Sequence, residues 1–174
     1  MERTLWVVGL ALVCVLAAWG MWVGWRHRGG RQSSLPELPT VPNTLGEVRT
    51  PPLTGLYVST TTAGHWQDRI VARGLGVRAD ALVRLTDDGI LIDRDGADPI
   101  FVPVQDLIEV TTAPGIAGKV MAQADGILII RWRLGSSELD SGLRADDRDS
   151  QAEFLVAAKD LLAGNPGKSE EATT

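Results

Sequence analysis

The residues most able to do chemistry are few and scattered. Cys14 is the single cysteine, and it sits inside an apolar run. A thiol there stays protonated and inert, and one cysteine cannot form a disulfide within the chain. His27 and His65 are the two histidines, far apart and without cysteine neighbours, so no zinc-ligand spacing is present. His65 has Asp68 three residues on, a base with an orienting carboxylate. No nucleophile is marked for it, and the elbow pattern G-x-S-x-G is absent. Asp93, Asp95 and Asp98 begin like a calcium loop, but the distal bidentate glutamate is missing, so a polar turn is expected. Gly74-Leu75-Gly76 lacks the third glycine and the helix that would present amides to a phosphate, and reads as a turn or bulge. These patterns lead to the expectation of a non-enzyme with no metal and no cofactor.

The first 25 residues are of a different kind. Leu5 through Trp25 carries no charged residue. At 1.5 Å per residue it would span roughly 30 Å, the thickness of a bilayer core, and a helix satisfies its own backbone in lipid. Trp6 stands at one end and Trp22 and Trp25 at the other, where indole rings favour the headgroup interface. Gly20 and Gly24 form one GxxxG pair. A cleaved signal peptide fits less well. Its n-region would be very short, and Ala18-Trp19-Gly20 is a poor cleavage site with more apolar sequence behind it. Arg26, Arg28 and Arg31 follow the run, against Glu2 and Arg3 before it. The positive-inside rule then puts the N-terminus outside and the rest of the chain in the cytoplasm, at the plasma membrane. The same arginines would meet anionic headgroups.

This reading divides the chain into a short tail at 1–4, a membrane helix at 5–25, a linker at 26–52, a domain at 53–164 and a disordered tail at 165–174. The linker is basic at first, then carries Pro36, Pro39, Pro42, Pro51 and Pro52 without apolar periodicity, as a flexible spacer does. Residues 53–164 hold 11 Lys and Arg against 17 Asp and Glu, a balance of −6. An acidic domain is a poor general binder of nucleic acid, because phosphate neutralisation needs clustered cations. Arginine outnumbers lysine by 14 to 3, which with abundant Ala, Gly and Val suits a GC-rich bacterial genome.

Within the domain, short β-rich runs alternate with turn signals. Strands are expected at Leu53–Thr62, Ala81–Thr86, Ile90–Asp93, Ile100–Val104, Leu107–Thr112 and Glu138–Arg144. Lys119–Ala124, Asp125-Gly126 and Ile127–Leu134 read as one hairpin. In its second strand Leu128, Ile130 and Trp132 share a face, which places Trp132 in the core. Ser150 and Glu153 form a capping box, with Asp146, Asp147 and Asp149 favouring the positive end of the helix dipole. Phe154, Ala158, Leu161 and Leu162 make an apolar stripe, and Gly164 and Pro166 end the helix.

About seven strands followed by one amphipathic helix resembles the pleckstrin-homology-like (PH-like) fold, a mainly β, partly open barrel or sandwich capped by a C-terminal helix. The stretch GILIIRWRLGSSELDSGLRADDRDSQAEFLVAAKDLL, residues 126–162, looks like the end of such a domain in small actinobacterial single-pass membrane proteins. Some of these are labelled transporter or export proteins, although one membrane helix gives no evident solute path. By analogy with eukaryotic PH domains, the resemblance points to the loop GHWQDRIVARGLGVR, residues 64–78, where Trp66, Arg69, Arg73 and Arg78 would meet a lipid phosphate or a partner. It implies a protein-interaction or scaffolding module at the inner face of the membrane, with a membrane or cytosolic protein as partner. Recognition of anionic lipid headgroups is one alternative, and an enzyme without a recognisable motif is the other.

Overall fold

The computed structural model describes residues 12–17, 19–20, 35–120 and 126–164. The chain divides between Ser34 and Leu35 into two compact units. In the first, residues 12–17 and 19–20 are helical, and Leu12, Val13, Val15, Leu16 and Trp19 are exposed. Among the described residues no helix is long and apolar enough to cross a membrane. Trp6, Trp22, Trp25, Arg26, Arg28 and Arg31, and both expected tails, lie outside the described residues.

The second unit is built on one antiparallel sheet. Its strands are β1 (Leu53–Thr62), β2 (Arg69–Ile70), β3 (Ala79–Thr86), β4 (Gly89–Arg94), β5 (Ile100–Pro103), β6 (Leu107–Ala113), β9 (Ile127–Leu134) and β10 (Ser137–Ala145). The order is β5-β4-β3-β1-β10-β9-β6, with β2 added to β1. β5 and β6 are the two ends of this order, yet only residues 104–106 join them. Three residues reach about 10 Å, so the sheet must curl until its edges approach. It stays open, because β5 and β6 do not pair.

Alternation fills the inside of this curl. Val83 and Leu85, Ile90 and Ile92, Ile100 and Val102, and Leu128, Ile130 and Trp132 all join one core. Trp132 is fully buried there, as its strand face requires. The helix α1 (Arg148–Ala163) lies mainly against β6 and buries Phe154, Ala158 and Leu161, with Leu162 half-buried. Its cap differs from the expected Ser150. Asp147 is the N-cap, and its Oδ2 accepts from the Ser150 amide at 2.8 Å and the Ser150 hydroxyl at 2.7 Å. Those bonds hold the Asp147 carboxyl below the usual range. Gly164 ends the helix, its amide bonded to the Asp160 carbonyl at 3.0 Å.

Two further expectations differ from the structure. The hairpin between Lys119–Ala124 and Ile127–Leu134 is not the pairing observed. β7 (Gly115–Ile116) pairs with β8 (Lys119–Val120) as a separate ribbon, and both edges of β9 are taken, by β6 and β10. Residues 35–52 are not a free spacer either. Leu35 is 6% exposed and belongs to the main core, and Val48 bridges Thr86 in line with β1. Arg49 pairs with Asp87 at 2.6 Å, and the Gly46 amide donates to Asp88 Oδ2 at 2.7 Å. These are point contacts spread among prolines, which leave no periodic pattern to read.

Candidate interaction loop

The connection from β1 to β3, residues 63–78, is where the sequence placed its candidate contacts. Two apolar residues anchor it, since Ile70 and Leu75 are buried in the main core. The other anchors are polar. The Gly74 carbonyl accepts from Arg94 Nη1 at 2.7 Å, the Leu75 carbonyl from Tyr57 Oη at 2.8 Å, and the Gly76 carbonyl from Arg69 Nη2. The Leu75 carbonyl also takes the Thr60 amide at 3.0 Å. At the other end, Asp140 Oδ2 accepts from the Gly64 amide at 3.1 Å, and the Thr62 amide donates to the Asp68 carbonyl at 3.2 Å.

Each anchor is itself fixed. Arg94 is 3% exposed, stacks 5.0 Å from the centre of the Tyr57 ring and also donates to the Asp98 carbonyl at 2.9 Å. Burial lowers its pKa, while the neighbouring Tyr57 and Asp98 raise it. Tyr57 ends a chain of buried hydroxyls. Trp132 Nε1 can only donate, so Ser141 Oγ accepts from it at 3.0 Å. The one Tyr57 proton goes to the Leu75 carbonyl. Ser141 therefore donates to Thr60 Oγ1 and Thr60 to Tyr57 Oη, each at 2.6 Å. Burial pushes the Tyr57 hydroxyl up to about 12. Asp140 is held by Arg131 through a two-point contact of 2.7 and 2.9 Å, and that bond raises the Arg131 pKa.

The four expected contact residues separate into two kinds. Arg69 and Arg73 work largely within the fold. Arg69 Nε donates to Ser59 Oγ at 2.9 Å, and Arg73 reaches the Leu35 carbonyl at 3.2 Å and Glu37 at 4.0 Å. Arg73 does so from a left-handed backbone at φ 56°. Trp66 and Arg78 face solvent. Sequence reasoning missed Val71 and Val77. Val71 is 66% exposed, Val77 47% and Trp66 43%. The signal was available, because each valine stands one or two residues beyond a buried apolar anchor, Ile70 or Leu75. A Cβ added at Gly76 would lie 3.0 Å from Val71, so the chain between the valines passes tightly against Val71.

His65 Nδ1 lies 3.2 Å from the Ala63 carbonyl, and Asp68 Oδ2 accepts from Thr62 Oγ1 at 3.2 Å, so neither is directed at a nucleophile. Among the described residues no three His, Cys, Asp or Glu side chains converge as metal ligands. The Asp95 turn is tied back by Arg94 rather than opened as a cation loop. A second surface lies on the outer side of β1, β3 and β4. It is an open depression of about 470 Å³ whose lining includes Thr54 and Leu82, with four aspartates, Asp80, Asp93, Asp95 and Asp146, against one arginine, Arg94. Register explains it, since Leu56 pairs with Asp80 and Leu82 with Asp93.

A family model described as bacterial PH domain-like matches residues 35–159. It begins at Leu35, the residue at which the packed unit begins. No curated protein matches the chain. A curled antiparallel sheet closed by one C-terminal helix, and a family match over most of the chain, lead to one assignment: this chain belongs to the bacterial PH domain-like family.

Proposed function

We propose that the chain is a membrane-tethered interaction module. Residues 5–25 anchor it to the plasma membrane with the N-terminus outside, and the PH-like domain works on the cytoplasmic side, holding a protein partner there. Membership of the family supports a protein- or lipid-binding module. One observation carries the reading furthest: a single domain bears two solvent-facing surfaces of opposite character. The 63–78 loop has three arginines, one aspartate and exposed apolar side chains, while the depression on β1, β3 and β4 is acidic. An acidic face turned to the cytoplasm suits a protein segment carrying basic residues.

Proximity labelling from Thr174, against a control of Met1–Ser34 alone, tests this. A small set of proteins enriched over the control supports a protein partner. Identical sets overturn it, and a set of extracytoplasmic proteins overturns the orientation. The second reading, contact with anionic lipid, is favoured for the loop alone by its positive charge and its exposed Trp66.

A further inference from the structure

The strap that leads to β1 begins Leu35-Pro36-Glu37-Leu38-Pro39-Thr40-Val41-Pro42-Asn43, an apolar residue, a proline and a polar residue, repeated. We propose that these residues fill a groove of the domain that takes proline-rich segments of this pattern, and that they are a built-in competitor for such a segment of a partner protein. The groove is separate from the acidic depression and needs no charge on its ligand.

The strap's conformation follows from its sequence. Each proline fixes its own φ at about −65° and pushes the residue before it to extended backbone. Most of the strap is therefore set for polyproline II, a helix of about three residues per turn. A repeat of three then becomes three faces, and burial follows them. Leu35 is buried and Leu38 and Val41 are half-buried, while Glu37, Thr40 and Asn43 are all exposed. The proline face lies between, with Pro36 exposed and Pro39 and Pro42 half-buried. This period belongs to neither α-helix nor strand, and it shows only once burial is known.

The domain meets each part of the pattern with a matching feature. Leu35 enters the main core, and Leu38 packs against it. The Pro36 ring lies on the turn between β9 and β10, where a Cβ at Gly135 would come 2.8 Å from the proline Cγ. Glycine leaves that room, and its φ of 62° favours glycine as well. Polyproline II has no internal hydrogen bonds, so its carbonyls are free to be read. Arg73 reads one, with Nε at 3.4 Å and Nη2 at 3.2 Å from the Leu35 carbonyl. It does so from a left-handed backbone at φ 56°, a strained state that a merely solvated arginine does not need. Glu37 lies 4.0 Å from Arg73 with its side chain 90% exposed, so the polar position is left open. Among the described residues no other hydrogen bond holds residues 35–45.

An apolar side chain, a proline ring and a backbone carbonyl are thus what the groove recognises, and any segment with the repeat supplies them. Such a segment binds with little ordering cost, because its prolines have already restricted it. The covalent link gives the strap a high local concentration, so a partner segment enters when the strap leaves.

The test uses the full chain in detergent micelles and a fluorescein-labelled peptide of residues 35–43. One variant carries Pro36→Gly, Pro39→Gly and Pro42→Gly, which raises the ordering cost of the seated strap and keeps every core side chain. A second, Leu35→Asp, expels the strap; the triple-glycine chain is decisive where this one does not fold. Near-ultraviolet circular dichroism checks both. Fluorescence anisotropy is expected to show the triple-glycine chain binding the peptide about tenfold more tightly than the unaltered chain, whose strap competes. Adding Arg73→Leu to the triple-glycine chain is expected to weaken binding about threefold, by the loss of its hydrogen bonds. A peptide with Leu35→Asp and Leu38→Asp is expected to bind neither chain. Equal binding by the unaltered chain overturns the built-in competitor. No binding by either variant overturns the groove, and the strap is then a fixed part of the fold. A peptide with its prolines changed to alanine that binds as well as the parent overturns the ligand class.

Discussion

Two long connections of the sheet are held in opposite ways. The β1–β3 loop is fixed largely by polar groups that bond its backbone carbonyls, the buried Arg94 and Tyr57 and the exposed Arg69. Among the described residues the β7–β8 ribbon is held by apolar side chains, chiefly Ile116, with Ala117 packed beside it. Ile116 packs on Val58, Ile127 and Ile129 on the outer face of the sheet, and a Cβ at Gly142 would lie 2.6 Å from it. The difference bears on function. A loop fixed largely through its backbone needs only Ile70 and Leu75 inside, and it leaves Val71 and Val77 exposed. A ribbon fixed by an apolar side chain has used that side chain up, and Ile116 is buried. The first is suited to present a surface and the second to cover one.

The largest break in this comparison is expected from Arg94→Met. It removes the donor shared by the Gly74 and Asp98 carbonyls and the cation over Tyr57. A charged buried donor with several acceptors is worth about 3 kcal/mol when lost. Hydrogen exchange on the full chain should show amides of residues 69–78 losing protection while those of β9 and β10 lose much less. Equal loss everywhere would mean that Arg94 supports the whole sheet and not the loop.

Gly142→Ala tests the ribbon. The added methyl falls on the Ile116 side chain, and overpacking of this kind costs about 2 kcal/mol. In an Ile116→Ala background the same change should cost well under half as much, because the colliding atoms are gone. Denaturant unfolding of the four proteins gives the coupling. Additive costs would show that Gly142 is needed for its backbone and not for the notch.

These contrasts also separate what was legible in the sequence from what was not. The six single strands and the stop at Gly164 were readable from alternation and turn residues, with β1 at the expected Leu53–Thr62. Such signals are local. The pairing of Lys119–Val120 with Gly115–Ile116 was hidden because Ile127–Leu134 looked like its natural partner, and only the topology shows that both edges of that strand are occupied. Leu35 was hidden among prolines, since a single buried side chain makes no period. The loop arginines were visible as charges. That Arg69 and Arg73 spend bonds on Ser59 and Leu35 depends on contacts 10 and 38 residues away, which no spacing rule encodes.

The smallest expected effect is also the most specific to the polar-fixed loop. Tyr57→Phe removes one hydroxyl from the chain that runs from Trp132 to the Leu75 carbonyl, and should cost about 1.5 kcal/mol. Its pH signature isolates it further. Unfolded, the hydroxyl ionises near pH 10; folded, burial holds it to about 12. Between those values the unfolded chain has lost a proton that the folded chain keeps, so stability falls as pH rises, by about 1.4 kcal/mol per unit. Below pH 10 the contribution is fully present. Tyr57 is the only tyrosine, so phenolate absorbance of the full chain reports this group alone. It should stay silent through pH 10 to 11 while the fold holds, and Tyr57→Phe should flatten the loss of stability in that window. Ionisation near pH 10 in the folded chain would show that the hydroxyl is open to solvent, and the loop would then rest on Arg94 and Arg69 without the buried relay.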